Sequence, residues 1–280
     1  MRINDFDLYK DLLMEKSGLV LTPDKSYLLD SRLTPIAKQH GFDSLDQMTV
    51  SLRGIPDTKL VKSIVEAMTT NETSFYRDLK PFNLFEKSVL PYMKETRASK
   101  RHLRIWCAAA SSGQEPYSLA MLLKENEAKF PGWKFEIVAT DISDDILEIA
   151  QNGIYTQFEV QRGLPIQLLM KYFKQHGDKW HISDDIKKMI RFSNFNLLNP
   201  MTSLGQFDVI FCRNVLIYFD DATKTKVLSG MSNLLPEDGM LFLGGAETVI
   251  GITDQFRPLP NARGLYLKPE SSAQNMAIAS

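Results

Sequence analysis

From Asn71 onward, apolar runs of strand length alternate with helical stretches. That alternation confines the chain to an α/β fold: a mostly parallel sheet with helices on both faces. Leu103-Arg104-Ile105-Trp106-Cys107 reads as a buried strand, followed by a helix from Pro116 to about Ala128. Phe135 to Thr140 is the next strand and Asp145 to Ala150 the next helix; Ile190-Arg191-Phe192 and Phe207 to Cys212 are further strands. A helix from about Ala222 to Leu235 precedes a strand at Met240 to Leu243. Phe256 to Leu267, with a turn near Asn261 to Gly264, reads as a closing hairpin, and the polar residues 269–280 as a disordered tail.

The first 70 residues carry no strand pattern. Phe6, Tyr9, Leu12 and Leu13 recur at helical spacing up to Gly18; Pro23 opens a second helix that stops at Gly41. Leu45 to Leu52 and Leu60 to Met68 complete an all-α domain over residues 1–70. Residues 71–84 then serve as a linker and 85–268 as the sheet domain. Within it, about 154–190 breaks the strand-helix repeat and reads as a small inserted antiparallel β-subdomain. There Trp180 to Ile182 and Ile186 to Phe192 are expected to pair.

Bulk composition narrows the function classes. A net charge of −1 over 280 residues argues against a nucleic-acid binder working by bulk phosphate neutralisation, though it says nothing against a local basic patch. Two cysteines, Cys107 and Cys212, make no disulfide framework and fit a reducing compartment. The start lacks a signal-peptide core and no run approaches the ~20 apolar residues of a membrane helix, so a cytoplasmic protein without membrane insertion is expected. His40, His102, His176 and His181 show no ligand spacing, and no metal is expected.

In open parallel sheets, ligands bind where the strands end. The first strand runs into Ala108-Ala109-Ala110-Ser111-Ser112-Gly113-Gln114-Glu115-Pro116, a turn of small residues opening onto a helix. It lacks the G-x-G-x-x-G turn of dinucleotide binders, which argues against a dehydrogenase. Glu115 repels phosphate but suits an ammonium, such as the amino-acid end of S-adenosylmethionine (SAM); equally, it reads as an ordinary helix-start acid. Asp141 ends the second strand, where an acid commonly accepts hydrogen bonds from ribose hydroxyls; it also reads as an N-cap of the next helix, although Ser143 is better placed for that. Arg213-Asn214 follows the later strand, and Asn196 adds an amide suited to an adenine edge.

Together with the linker block Thr70-Asn71-Glu72-Thr73-Ser74-Phe75-Tyr76-Arg77-Asp78, three further blocks resemble the chemotaxis receptor methyltransferase family, CheR. They are Ile105 to Ser118, Ala139-Thr140-Asp141-Ile142-Ser143, and Phe207 to Phe219, in the family's order and covering nearly the whole chain except the tail. The resemblance implies a Rossmann-like SAM-dependent methyltransferase sheet with an inserted β-subdomain, preceded by an all-α domain. It implies that Asn71, Thr73 and Arg77 close over the cofactor, that Glu115 holds its ammonium and Asp141 its ribose. Asn196 with Leu197, and Asn214 with Val215, would frame the adenine and sulfonium side. Arg213 and Tyr218 would face the substrate carboxylate.

The implied activity is methyl esterification of glutamates on the cytoplasmic methylation helices of chemoreceptors, leaving S-adenosylhomocysteine. A carboxylate nucleophile with a pKa of about 4.3 is already ionised at neutral pH and needs no general base. Lys25, Arg32 and Lys38 fall roughly on one face of the second helix and would steer acidic receptor helices, although Asp24 and Asp30 are interspersed. The short turn from Lys174 to Lys179 argues against tight docking of a receptor C-terminal pentapeptide. A SAM methyltransferase for another protein or a small molecule, and a non-catalytic SAM-binding adaptor, are the alternatives. Cys212 near the cofactor would make thiol alkylation inhibitory.

Overall fold

The computed structural model describes residues 3–279 and divides into two compact units: one up to Thr70 together with Tyr218–Thr223, and one of Asn71–Ile217 with Lys224–Ser280.

The first unit is helical: α1 (Ile3–Ser17), α2 (Tyr27–Gln39), α3 (Leu45–Leu52) and α4 (Thr58–Met68), with a 3-10 turn at Pro23–Lys25. Sequence-local capping starts the last two. Ser44 accepts from the Gln47 amide at α3, and Asp57 accepts from the Lys59 amide at α4. Tyr9, Leu13, Leu29, Leu33, Met48 and Ile64 are fully buried and form its core. The Tyr9 hydroxyl is matched by Thr49 Oγ1 at 2.9 Å, so burying it leaves no polar group unpaired.

The second unit begins with α5 (Lys80–Leu84), which runs through a π-helical turn at Phe85–Val89 into α6 (Leu90–Thr96). It continues with β1 (His102–Ala108), α7 (Gln114–Glu125), β2 (Lys134–Asp141), α8 (Asp144–Asn152), β3 (Ile154–Thr156), α9 (Gln157–Gln161), α10 (Ile166–Tyr172), β4 (Phe173–His176) and β5 (Lys179–Ile182). Then come α11 (Asp184–Lys187), β6 (Ile190–Asn194), β7 (Val209–Cys212), α12 (Asp221–Leu234), β8 (Met240–Leu243), β9 (Arg257–Pro258) and β10 (Leu265–Leu267).

The main sheet has seven strands in the order β6-β2-β1-β7-β8-β10-β9. Strands β6 to β8 pair in parallel, and β10 and β9 add antiparallel at one edge. The central strands β7 and β8 are apolar throughout and every residue of them is buried, as expected where helices cover both faces. The order reverses at β1, whose neighbours are β2 on one side and β7 on the other. Crossovers therefore leave in opposite directions and open a crevice at the carboxyl ends of these strands. At the opposite ends, Arg97 clamps Asp208 at 2.6 Å and Asp238 at 2.6 Å, and Asp208 also accepts from the Arg104 amide.

Two sequence expectations are corrected here. Ile186 to Phe192 does not pair with Trp180 to Ile182. Instead β5 sits between β3 and β4 in a three-stranded antiparallel sheet, Ile186 lies in α11, and β6 joins the main sheet beside β2. The hairpin partner was β4, whose exposed Lys174, Gln175 and His176 hide it from an apolar-run search. The tail is also ordered: Ala273 and Met276 are buried, and the Ala279 amide donates to Ser88 Oγ at 3.0 Å. Apolar side chains spaced singly through a polar stretch, Ala273, Met276 and the partly buried Ile278, pack it against the core. Ser280 lies outside the described residues.

Candidate active site at the switch point

The turn after β1 departs from ordinary backbone geometry. Ala109, Ser111 and Gly113 all adopt positive φ, at 61°, 50° and 92°. Glycine adopts such a path at no steric cost, whereas Ala109 and Ser111 must be held in it by their surroundings. At Gly113 a side chain would be crowded as well as strained, since a Cβ would sit 3.1 Å from both Ala150 and Tyr117. The path aims the Ser111 amide across at Asp141, whose Oδ2 accepts it at 2.8 Å; Oδ1 accepts from the Ser143 amide at 3.1 Å. Both oxygens of Asp141 are thus fixed by main chain, with lone pairs left for further donors. Burial pushes its carboxyl above the usual range, and the amides of Ser143, Ser111 and Ile142 pull it back.

Glu115 stands in the first turn of α7, one strand over from the end of β7. Its Oε2 receives Arg213 Nη1 at 2.6 Å. Arg213 Nη2 donates to the Asp78 carboxylate at 2.7 Å and to the Arg77 carbonyl at 2.9 Å. Nε is buried without a partner. Burial raises the Glu115 pKa, opposed by the adjacent guanidinium. The sequence reading sent Arg213 towards a substrate carboxylate; instead its side chain is 2% exposed and its fork is committed to Glu115 and the linker. Asp78, which gave no separate signal, is the linker acid that receives it. This linker is bent through positive φ at Tyr76, Asp78 and Leu79, so Arg213 holds an otherwise costly path.

The other expected residues are distributed as follows. Asn71 is exposed and Thr73 half-buried; the Asn71 carbonyl accepts from Ser111 Oγ at 3.1 Å, tying the linker to the β1 turn. Arg77 is half-buried and donates to the Glu72 carbonyl at 2.6 Å. A cavity of about 190 Å3 opens between Asn71 and Thr73 of the linker, Ser112 and Gln114 of the turn, and Phe158 and Arg162 on the inserted subdomain. Asn196 is half-buried and Leu197 buried after β6. Asn214, in the left-handed region at φ 60°, and Val215 follow β7.

Tyr218 belongs to the helical unit, where its carbonyl accepts from the Val20 amide at 2.9 Å. Lys25 and Lys38 are exposed there. Arg32 is not part of an outward stripe: it donates to the carbonyls of Met68 at 3.0 Å and Thr69 at 2.8 Å, capping the end of α4. Helical spacing predicts a face but not which long side chain folds back. Cys107 and Cys212 are fully buried on neighbouring strands, and burial raises both thiols well above their ordinary range. That makes them poor targets for the alkylation expected above. His176 and His181 come together across β4 and β5, ring centroids 4.7 Å apart. Among the described residues, no group of three or more His, Cys, Asp or Glu is placed to hold a metal ion, and no helix is long and apolar enough to cross a membrane.

Known proteins are similar to this chain along nearly its full length. A protein of Vibrio parahaemolyticus described as a chemotaxis protein methyltransferase is 38% identical, covering 93% of this chain and 96% of its own. Chemotaxis protein methyltransferase 1 of Pseudomonas aeruginosa is 38% identical over 94% of this chain and 97% of its own. Among solved structures, the glycopeptide N-methyltransferase MtfA with SAM aligns at a TM-score of 0.34 and 13% identity over 59% of each chain, too distant to carry an argument. Residues 71–265 match the family described as CheR methyltransferase, SAM binding domain, and residues 4–69 the CheR methyltransferase all-alpha domain. The chain therefore belongs to the CheR family of SAM-dependent methyltransferases.

Proposed function

We propose that this chain transfers the methyl group of SAM to glutamate side chains on the cytoplasmic methylation helices of bacterial chemoreceptors. The names of its relatives support chemotaxis as the setting. What supports the chemistry is the placement of Glu115 in the first turn of the helix after β1 and of Asp141 at the end of the adjacent β2, where the strand order reverses. Two carboxylates there fit a ligand with an ammonium at one end and a ribose diol in the middle. Asn196, Leu197, Asn214 and Val215 would frame the adenine and sulfonium side, with Asn71, Thr73 and Arg77 of the linker lying over the ligand.

The acceptor glutamate is already a carboxylate at neutral pH, so the enzyme's task is alignment of oxygen, methyl carbon and sulfur. Arg213 would serve by holding Glu115 and the linker in place rather than by gripping the acceptor. That leaves the nucleophile's charge unquenched, with Tyr218 as the proposed contact to it. Lys25 and Lys38 would steer the acidic receptor helices. A turn of only Gly177-Asp178 joins β4 to β5, which supports a reading without tight pentapeptide docking.

The test is incubation with methyl-labelled SAM and receptor-containing membranes. Base-labile label on the receptor is expected, as for an ester; alkali-stable label, or none on receptors, would overturn the assignment.

A further inference from the structure

We propose that Glu247, in the loop after β8, is a positioning residue for methyl transfer: its carboxylate moulds the segment that presents Asn214 and Val215. Four main-chain amides converge on this one side chain. Oε2 accepts from Asn214 at 2.8 Å and Gly244 at 2.6 Å; Oε1 accepts from Val215 at 2.9 Å and Leu216 at 2.7 Å. The residue is 8% exposed. Amides that point at one spot make an anion-binding concavity. Here the loops after two adjacent strands, β7 and β8, build the concavity, and the chain fills it with its own acid.

The segment has a use for such a mould. Asn214 sits at φ 60°, a conformation that costs a non-glycine residue energy unless its surroundings enforce it. Gly244 closes the arrangement from below. A Cβ there would fall 2.7 Å from Glu247 Oε2, 2.8 Å from Asn214 Nδ2 and 3.0 Å from the Asn214 amide. The Asn214 side chain and the Glu247 carboxylate are thus both seated against the same glycine. Tyr266 on β10 donates to the Glu247 carbonyl at 3.3 Å, tying the loop to the sheet. A carboxylate offers four lone-pair sites and no donor, which matches four amides; a glutamine would set its NH2 against two of them.

The inference rests on Asn214 and Val215 being cofactor contacts, and the experiment separates the two claims. Glu247→Gln, Glu247→Asp, Glu247→Ala and Asn214→Ala would be titrated with S-adenosylhomocysteine by calorimetry, with circular dichroism to verify folding. Glu247→Gln is expected to weaken binding at least tenfold, and Glu247→Asp less. Formate added to Glu247→Ala should restore affinity by occupying the concavity, and should do nothing for the parent protein or Asn214→Ala; a merely structural loss would show no such rescue. If Glu247→Ala fails to fold, Glu247→Gln decides. Affinity within twofold of the parent in Glu247→Gln, beside a weakened Asn214→Ala, would overturn the proposal alone. An unchanged Asn214→Ala would overturn the placement of Asn214 at the cofactor and this proposal with it.

Discussion

Replacing Arg213 by alanine should reveal how much the buried ion cluster holds. In the native protein the Arg213 and Glu115 side chains are 2% and 11% exposed and 2.6 Å apart. Removing the guanidinium leaves the Glu115 carboxylate buried without its counter-charge and frees Asp78. Breaking a buried pair from one side costs about 3–5 kcal/mol. For a domain of this size each kcal/mol lowers the melting temperature by roughly 2–4 °C, so a fall of about 6–20 °C is expected at neutral pH. Adding Glu115→Gln removes the stranded charge. The double variant should therefore be more stable than the sum of the singles predicts, with a coupling of about 1–3 kcal/mol. Because Glu115 is also the proposed ammonium contact, affinity for S-adenosylhomocysteine should fall along with stability in Arg213→Ala. Thermal melts of the four proteins, followed by circular dichroism, provide the test. Additive effects of the two substitutions, or a melting temperature shifted by less than about 3 °C, would show that the pair is not the structural hinge of the site.

Burial raises the carboxyls of both Glu115 and Asp141. Each must be ionised to attract an ammonium or accept from a diol, so affinity for S-adenosylhomocysteine should decline as pH falls, and begin to do so above the ordinary carboxylate range; calorimetry across that range with flat affinity down to the usual values would contradict it. Cys107 and Cys212 should resist a thiol reagent in the native state and react only on unfolding, with methyl transfer unaffected, as a timed colorimetric assay would show. Charge reversal at Lys25 and Lys38 should slow receptor methylation while sparing cofactor affinity. Arg32→Glu should instead lower the melting temperature of the helical unit, because α4 loses its carbonyl cap.

Much of the architecture is legible along the chain because buried parallel strands are continuous apolar runs. Met240–Leu243 is read to the residue, and β1 and β2 to within a residue at either end. The same rule fails at β4, where three of the four residues are exposed, and the hairpin partner of β5 is misassigned. In the site, the residue types at the strand ends announce themselves: an acid after β1, an acid ending β2, an arginine and an amide after β7. Glu247 carries a comparable signal, an acid just beyond an apolar strand at the same sheet edge, but three of its four partners are amides from another loop and no side-chain pattern marks them.

The sequence by itself determined the parallel sheet, the helical leader and the chemical character of the cofactor edge, since periodicity and residue type are properties of neighbouring positions. Only the tertiary structure decided where each charged side chain spends its hydrogen bonds. Arg213 turns inward to Glu115 and Asp78, Arg32 folds back onto α4, and Glu247 gathers the amides of a distant loop. A long flexible side chain takes the nearest unsatisfied partner in space, and that partner exists only once strands far apart in sequence have been laid side by side.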